Sequence, residues 1–280
     1  MKKAKYKWVL VTVLFYSLIT RAQPDSSGEK DKPQIKLGVY YNSGLNYYGR
    51  TDSLRSVGFF PVAEIWFNKN FYINAAPVFV NNKTVNFDYA GTVATAGYRF
   101  TGKNKISGNI YLVKPFYESN SQLVQSALKA QFASTFTWLN KAVNITGGAD
   151  IKFSDKTDYG VTTGVDHIFR FELPGQSVLV FDPSAYLNAG TQQFTKTYYK
   201  RSSFLLLPGV EQMVTERVSN FNILSYEVSV PVIYAKGKLQ IIALPAYVVP
   251  QNLIVVANRP DLSERGENMF YATLGAKIAF

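Results

Sequence analysis

The chain has 280 residues, no cysteine, one histidine (His167) and a formal net charge of +11 at pH 7. Without cysteine the chain can have neither a disulfide framework nor a lipid-modified cysteine, and a single histidine argues against a transition-metal site. The basic residues are dispersed along the chain, which argues against nucleic-acid binding. We therefore expect no metal, no cofactor and no nucleic-acid partner.

The N-terminus has the pattern of an export signal. A lysine-rich start is followed by an apolar run over residues 8–19 and by a small residue, Ala22, which together predict a signal peptide over residues 1–22. The apolar run is shorter than the ~18 residues that a membrane helix needs, so an N-terminal anchor is the less favoured alternative. Residues 23–33 are polar and are expected to form a periplasmic segment before the first strand.

From residue 34 onward, segments of about ten residues alternate between apolar and polar side chains. A period of two favours strands over a helix bundle. One short segment, 208–220, has a periodicity that fits a helical turn equally well. Twelve strands are predicted, with the approximate spans 34–48, 57–67, 71–80, 91–100, 106–115, 126–139, 142–153, 160–172, 177–188, 222–234, 239–249 and 269–280.

Prolines inside these segments count against the exact register, because proline removes a hydrogen bond from the ladder. They occupy positions 61, 77, 115, 183, 231 and 245. Bulges are expected at these points, and a total of ten or fourteen strands is the alternative.

The connections between the segments alternate in length. Short connections follow the even-numbered segments and long ones follow the odd-numbered segments, the longest being 189–221 and 250–268. Transmembrane barrels have this asymmetry, with short periplasmic turns and long external loops, whereas a soluble sandwich does not. The predicted fold is therefore all-β: a closed antiparallel transmembrane β-barrel over residues 34–280, in the outer membrane of a Gram-negative bacterium and in contact with its lipids.

The apolar face of each strand must point toward lipid, because a charged side chain there costs about 2–4 kcal/mol at mid-depth. In the tenth segment this face comprises Leu224, Tyr226, Val228, Val230, Val232 and Tyr234. The charged residues on the opposite faces are candidate lumen-lining residues: Lys36, Glu64, Arg99, Lys129, Asp150, Lys152, Asp166, Arg170, Glu172, Asp182, Glu227 and Lys277. Acids and bases balance, which favours ion pairs across the interior, or a narrow pore with little charge preference, over a single-sign ring.

The last segment, FYATLGAKIAF (270–280), places Phe270, Leu274, Ile278 and Phe280 on one apolar face. It resembles the C-terminal signal that the barrel-assembly machinery reads, which implies that this machinery is a partner during insertion. Four other segments, GRTDSLRS (49–56), AGTQQF (189–194), FNILSYEVSVPVIYAKGK (221–238) and LPAYVVPQNL (244–253), are similar to uncharacterised outer-membrane β-barrel proteins of the Bacteroidota type. That resemblance implies a fold and a compartment, and no activity.

Catalytic chemistry is poorly supported by the sequence. His167 falls on the predicted lipid face, where outer-membrane phospholipase barrels hold their catalytic residues, but the neighbouring outward positions supply no serine nucleophile. Asp150, Asp155 and Asp158 straddle a connection, and a solvated acidic loop is preferred there to a calcium site. We therefore expect no enzyme activity.

Three functions remain as hypotheses. The leading one is a narrow pore or accessory barrel for small solutes. The alternative is a plugged structural or interaction barrel, whose loops (48–55, 195–203 and 257–268) bind surface components or a partner complex. The third, a lipid-modifying enzyme, depends on His167. The solute and any protein partner are not specified by the sequence.

Overall fold

The computed structural model describes residues 32–52, 54–102, 105–118, 128–193, 220–255 and 263–280. The predicted signal peptide lies outside these ranges, as do residues 208–219 of the segment for which a helical turn was an alternative. In the described part of the chain, no helix is both long and apolar enough to cross a membrane.

Fifteen strand segments form one antiparallel sheet that closes on itself, and two short strands form a separate hairpin. The first eight segments in chain order are β1 (Gln34–Asn42), β2 (Asn46–Tyr47), β3 (Arg50–Thr51), β4 (Val57–Trp66), β5 (Phe71–Asn81), β6 (Asp88–Thr101), β7 (Ile106–Tyr117) and β8 (Ala130–Trp138). The remaining nine are β9 (Asn144–Phe153), β10 (Thr157–Asp166), β11 (Phe169–Leu173), β12 (Ser177–Phe181), β13 (Ser184–Gly190), β14 (Asn222–Ser229), β15 (Val232–Lys236), β16 (Leu239–Pro250) and β17 (Met269–Ala279).

Three of the barrel strands consist of two segments each. β10 continues into β11, β12 into β13, and β14 into β15, with a two-residue break in each case. β16 pairs with β15 through its first half and with β14 through its second half, so the two segments act as one strand. The barrel therefore has twelve strands, and β17 closes it by pairing with both β1 and β16. This confirms the predicted fold class.

The two ends of the barrel differ. One end, here called the turn end, carries the connections 67–70, 102–105, 139–143, 174–176 and 237–238. The other, here called the loop end, carries the connections 43–56, 82–87, 118–129, 154–156, 191–221 and 251–268. The first residues of β1 and the last residues of β17 lie at the turn end, since Lys36 pairs with Ala279.

The prolines interrupt the ladder in more than one way, so the expectation of a bulge at each was too simple. Pro61 lies opposite Pro77, and the β4–β5 pairing lapses between the Phe59–Phe79 and Ala63–Ala75 pairs because neither proline has an N–H to donate. A bulge follows at Val78 and Phe79.

On the other side of the barrel, prolines coincide with strand breaks. Pro183 and Pro231 lie in two of the breaks and still accept hydrogen bonds through their carbonyls, from His167 N at 3.1 Å and Asp182 N at 2.9 Å. The second bulge, at Asn188 and Ala189, involves no proline.

The outer surface of the barrel is apolar, with aromatic rings concentrated near both ends. At the turn end, the exposed rings are Phe67, Phe71, Tyr98, Trp138, Phe169, Phe171 and Phe280. At the loop end they are Phe87, Tyr89, Phe116, Phe153, Tyr159, Tyr226, Tyr247 and Phe270. Exposed aliphatic side chains lie between the two bands, among them Val39, Ile73, Leu112, Val161, Val228, Ile241 and Leu274.

Leu224 is an exception to the predicted outward face. Its side chain is 1% exposed and packs against Tyr47 and Tyr48 inside the barrel. The bulge explains the reversal: Asn188 pairs with Ser225 and Ala189 pairs with Ile223, so Leu224 is the extra residue and turns inward.

Candidate functional site: the barrel lumen

A short hairpin fills the lumen at the loop end. β2 and β3 are joined by Tyr48 and Gly49, which both have positive φ (53° and 77°), as a tight two-residue hairpin turn requires. Tyr47 and Tyr48 are buried, and Tyr48 lies within electrostatic reach of Asp150, which projects from the far side of the lumen. The hairpin therefore reaches across the interior instead of extending outward from the rim.

Arg50, at the start of β3, holds this hairpin in place. Its guanidinium donates to the backbone carbonyls of Tyr48 at 3.2 Å, Leu224 at 3.0 Å and Gln251 at 2.9 Å. It also forms an ion pair with Glu264, with Nε 3.3 Å from Oε2, and the two side chains are only 5% and 6% exposed. One side chain thus connects the hairpin, β14 and the last loop.

Glu264 completes this contact from the last loop. Its carboxylate also accepts a hydrogen bond from the backbone N–H of Ile254 at 2.9 Å. Burial raises the pKa of the Glu264 carboxyl above its ordinary value, and the Arg50 guanidinium and the Ile254 hydrogen bond oppose that rise. The backbone of the hairpin adds a further contact, from Thr51 N to Arg265 O at 2.9 Å.

Four of the predicted lumen residues come together at the turn end, around Trp66. Lys36 lies opposite Glu64 in the β1–β4 pairing, and Lys277 Nζ is 3.6 Å from Glu64 Oε1. The indole Nε1 of Trp66 donates to Glu64 Oε2 at 2.9 Å. The Trp66 ring also has the Lys36 Nζ 4.5 Å and the Arg99 Cζ 5.1 Å from its centroid. We refer to Lys36, Glu64, Trp66, Arg99 and Lys277 as the Trp66 cluster.

The predicted acids collect on another part of the wall. Asp166 accepts a hydrogen bond from the Asn144 amide at 2.6 Å, and the Asp182 carboxyl lies beside it. Glu227, on β14, hydrogen-bonds to Tyr271. Part of the interior charge is therefore segregated by sign, with Asp166, Asp182 and Glu227 on one part of the wall and most of the cations around Trp66, and the expected ion pairs form in only part of the lumen.

Asp150 and Lys152 are the clearest internal ion pair among the predicted residues. They lie two residues apart on the inner face of β9, and the Lys152 ammonium donates directly to the Asp150 carboxylate. Both side chains are largely buried.

The structure places three of the predicted lumen residues elsewhere. Lys129 lies just before β8 at the loop-end rim, where its exposed ammonium pairs with Asp155 at 3.1 Å. Arg170 and Glu172 lie on β11, which extends beyond the neighbouring β9 and pairs only with β12 on the other side. The alternation of apolar and polar residues predicted the face of the strand on which these three residues lie. Their position along the barrel axis, however, is beyond the part of the lumen that the barrel encloses.

The residues considered for catalysis and calcium binding make the following contacts. His167 lies in the break between β10 and β11, and its ring packs edge-on against Phe169 with centroids 4.4 Å apart. Asp150 pairs with Lys152, Asp155 pairs with Lys129, and Asp158 accepts hydrogen bonds from Thr191 and Gln193. In the described residues, no three metal-ligating side chains converge.

Sequence reasoning missed the residues that close the loop end, namely Tyr47, Tyr48, Arg50 and Glu264. Arg50 and Glu264 lie in segments that were predicted to be external loops, whereas Tyr47 was assigned to the predicted strand 34–48 and Tyr48 to the boundary of that strand with the loop 48–55; the strand β1 in fact ends at Asn42. The Tyr-Gly pair at 48–49 was an available signal for a tight turn, but nothing in the sequence indicates that the turn folds inward.

The predicted assembly residues, Phe270, Leu274, Ile278 and Phe280, all lie on the exposed outer face of β17 and its end. Phe280 N donates to Ile35 O at 2.8 Å, so the last residue is still attached to β1.

Comparison with known proteins gives a likeness in fold alone. No protein-family model and no curated protein matches the chain. Among solved structures, the KdgM porin aligns with a TM-score of 0.48 at 9% identity, covering 88% of this chain and 99% of its own. An outer membrane channel from Pseudomonas putida F1 has a TM-score of 0.45 at 10% identity, covering 92% and 99%. LpxR from Salmonella typhimurium has a TM-score of 0.43 at 8% identity, covering 87% and 99%.

Proposed function

We propose that the protein is an outer-membrane β-barrel that is plugged at its loop end, with a structural or interaction role in which the external loops contact surface components or a partner. Membrane insertion is supported by the apolar outer face, with aliphatic side chains between two aromatic bands. The short turns and the two ends of the barrel chain then face the periplasm, and the long loops face outward.

The plug is the observation that carries the choice of an interaction barrel over an open pore. The β2–β3 hairpin packs Tyr47 and Tyr48 across the lumen, and the buried Arg50 ties it to β14 and to the last loop. A guanidinium that satisfies three backbone carbonyls and a carboxylate is costly to withdraw, because each of those groups would lose a buried partner.

A conductance measurement tests this proposal. The full chain is refolded and placed in a planar bilayer, and its heat-modifiable migration on a gel establishes that the barrel is intact. We expect the wild-type barrel to be silent, and a variant in which residues 44–55 are replaced by a short glycine-serine linker to conduct. A steady wild-type conductance would contradict the plugged barrel.

A narrow pore for small solutes is the second candidate, because charged side chains in part of the lumen keep some exposure to solvent. Glu64 and Lys277 keep 15% and 16% side-chain exposure although both face inward. If this function is correct, the wild-type protein conducts, and its ion preference changes in Glu227→Lys or Arg99→Glu. Lys129→Glu is the matched control, since Lys129 lies outside the lumen.

A further inference from the structure

The Trp66 cluster is unbalanced in charge. It brings three cations, Lys36, Arg99 and Lys277, around a single carboxylate, Glu64. That carboxylate already forms an ion pair with Lys277, at 3.6 Å, and accepts a hydrogen bond from the Trp66 indole. The charged groups that act electrostatically on Lys36 are Lys277, Glu64 and Arg99, and the acids Asp166, Asp182 and Glu227 are not among them.

Arg99 also has donor capacity to spare. Its Nε is buried in the protein and has no hydrogen-bond partner. A buried guanidinium nitrogen without an acceptor is costly, and an oxyanion is the acceptor that its planar geometry suits best. The backbone at Arg99 is fixed by reciprocal hydrogen bonds with Asn70, both 2.7 Å long, so the side chain projects from a rigid point of the wall.

The cluster lies at the opposite end of the barrel from the plug. Lys36 and Lys277 lie near the first and last residues of the barrel, Trp66 is the last residue of β4, and Arg99 is close to the end of β6. All four are therefore near the turn end, and the hairpin plug is at the opposite end. Access from the turn end does not require the plug to move.

We propose that the Trp66 cluster is a binding site for a small oxyanion with at least two negative charges, of the dicarboxylate, sulfate or phosphate class. The ligand's oxygens take the place of the acceptor that Arg99 lacks, while Lys36 and Lys277 neutralise its charge. The inference goes beyond the proposed function, since it holds for a plugged barrel and for a pore alike.

The site contains its own reporter. The chain has three tryptophans, Trp8, Trp66 and Trp138, so the full-length Trp8→Phe/Trp138→Phe variant has Trp66 alone. This variant is refolded in detergent and titrated separately with malonate, sulfate and phosphate at constant ionic strength held with chloride. We expect a saturable change in Trp66 fluorescence with at least one of the three anions, and none with chloride alone.

Further substitutions in the Trp8→Phe/Trp138→Phe variant distinguish specific anion binding from general screening of charge. Arg99→Gln should weaken the response at least about tenfold, because a charge-assisted hydrogen bond is lost. Glu64→Gln should strengthen it, because the one carboxylate of the Trp66 cluster, which competes with the ligand, is removed while an acceptor for the Trp66 indole remains. Lys129→Gln, which removes a cation at the opposite end of the barrel, is the matched control and should leave the response unchanged.

Three outcomes would overturn the proposal. The first is a response that does not saturate, which indicates general screening. The second is the same affinity in Arg99→Gln as in the reporter variant. The third is weaker binding in Glu64→Gln, which would show that the carboxylate organises the site instead of competing with the ligand. The conductance result is independent of all three, so the two proposals fail separately.

Discussion

At the scale of single residues, Arg50 connects the loop-end hairpin to β14 and to the last loop. Three of its partners are backbone carbonyls, and its fourth partner, Glu264, lies more than two hundred positions away in the sequence. No pattern of residue types specifies such a set, because backbone carbonyls are present at every position. The sequence placed Arg50 in an external loop, and only the closed barrel brings its partners together.

Arg50→Ala should destabilise the loop end markedly. Breaking a buried ion pair typically costs about 3–5 kcal/mol, because the remaining charge is left buried without a partner. Limited proteolysis of the refolded protein should then cut within 43–56 or 263–268 well before it cuts the wild type. The matched control is Arg55→Ala: Arg55 pairs with Glu267, but their side chains are 76% and 45% exposed, so the cost should be below about 1 kcal/mol. Equal proteolysis of the two variants would contradict the role of Arg50.

The cost of Arg50→Ala should also depend on pH. In the wild type, burial already raises the pKa of Glu264, so the folded state favours the protonated carboxyl, and its stability falls as pH rises through that raised value. The positive charge of Arg50 opposes this rise, so its removal raises the pKa of Glu264 further. Arg50→Ala should therefore be more protease-sensitive than the wild type even at about pH 4, because three backbone carbonyls lose their donor, and more sensitive still at about pH 8, where the Glu264 carboxylate is also left unpaired. The double variant Arg50→Ala/Glu264→Gln should lose this difference, and a pH-independent Arg50→Ala defect would exclude the mechanism.

At the scale of strands, glycines on the inner face accommodate tyrosine rings from the neighbouring strand. Three directly opposed pairs show this: Tyr40 with Gly275, Tyr72 with Gly97, and Tyr186 with Gly164. A Cβ added at any of these glycines would lie within about 2.5 Å of the facing ring, so a larger residue cannot be fitted there without movement. The sequence shows glycines scattered through the strands, but the pairing register decides which of them faces a ring.

Gly97→Val should destabilise the barrel by about 1–3 kcal/mol, as overpacking of a filled interior usually does. The added side chain would displace Tyr72 from Asn109, to which its hydroxyl is hydrogen-bonded at 3.2 Å. Urea unfolding of the refolded protein, followed by heat-modifiable migration, measures the change. Gly147→Val is the matched control: Gly147 is also in a strand, but an added Cβ there meets nothing within 4 Å. Similar midpoints for the two variants would show that the Tyr72 ring moves aside freely.

At the scale of the whole molecule, closure of the barrel depends on β17. This strand pairs with β1 on one side and with β16 on the other, and it exposes Phe270, Leu274 and Ile278 on the outer face. A closed sheet has no free edge along its length, which removes the usual route to edge-to-edge association. β11 is an exception at the turn end, because it extends beyond β9 and pairs with β12 on one side only.

We propose that the outer face of this strand is the part of the chain that the barrel-assembly machinery recognises, as the resemblance of its last segment implies. Phe280→Ser should then lower the amount of folded barrel recovered from cells several-fold, and should leave refolding of purified protein in detergent almost unchanged. Phe67→Ser, at another exposed ring of the turn-end band, is the control and should leave the recovery from cells unaffected. A defect of equal size in both variants would indicate a general loss of membrane anchoring.

The sequence by itself determined the all-β class and the side of most strands that faces outward, and it favoured twelve strands over ten or fourteen. It could do so because the apolar alternation and the spacing of turn residues are local, and because lipid contact requires the same alternation in every strand. The pairing register of the strands was predicted less well, because the effect of a proline depends on the hydrogen bonds that the neighbouring strand would otherwise make with it. Pro61 and Pro77 meet across one pair of strands, and Pro183 and Pro231 coincide with strand breaks.

The tertiary structure alone decided what the lumen contains. The apolar–polar alternation assigned Lys36, Arg99 and Lys277 to the interior. Only closure of the barrel, which brings β1, β4, β6 and β17 to the same side of the lumen, gathers them around Trp66. The inward fold of the β2–β3 hairpin likewise depends on Leu224, which a bulge turns toward Tyr47 and Tyr48. Both features arise from contacts between residues far apart in the chain, which neither a local period nor a residue composition encodes.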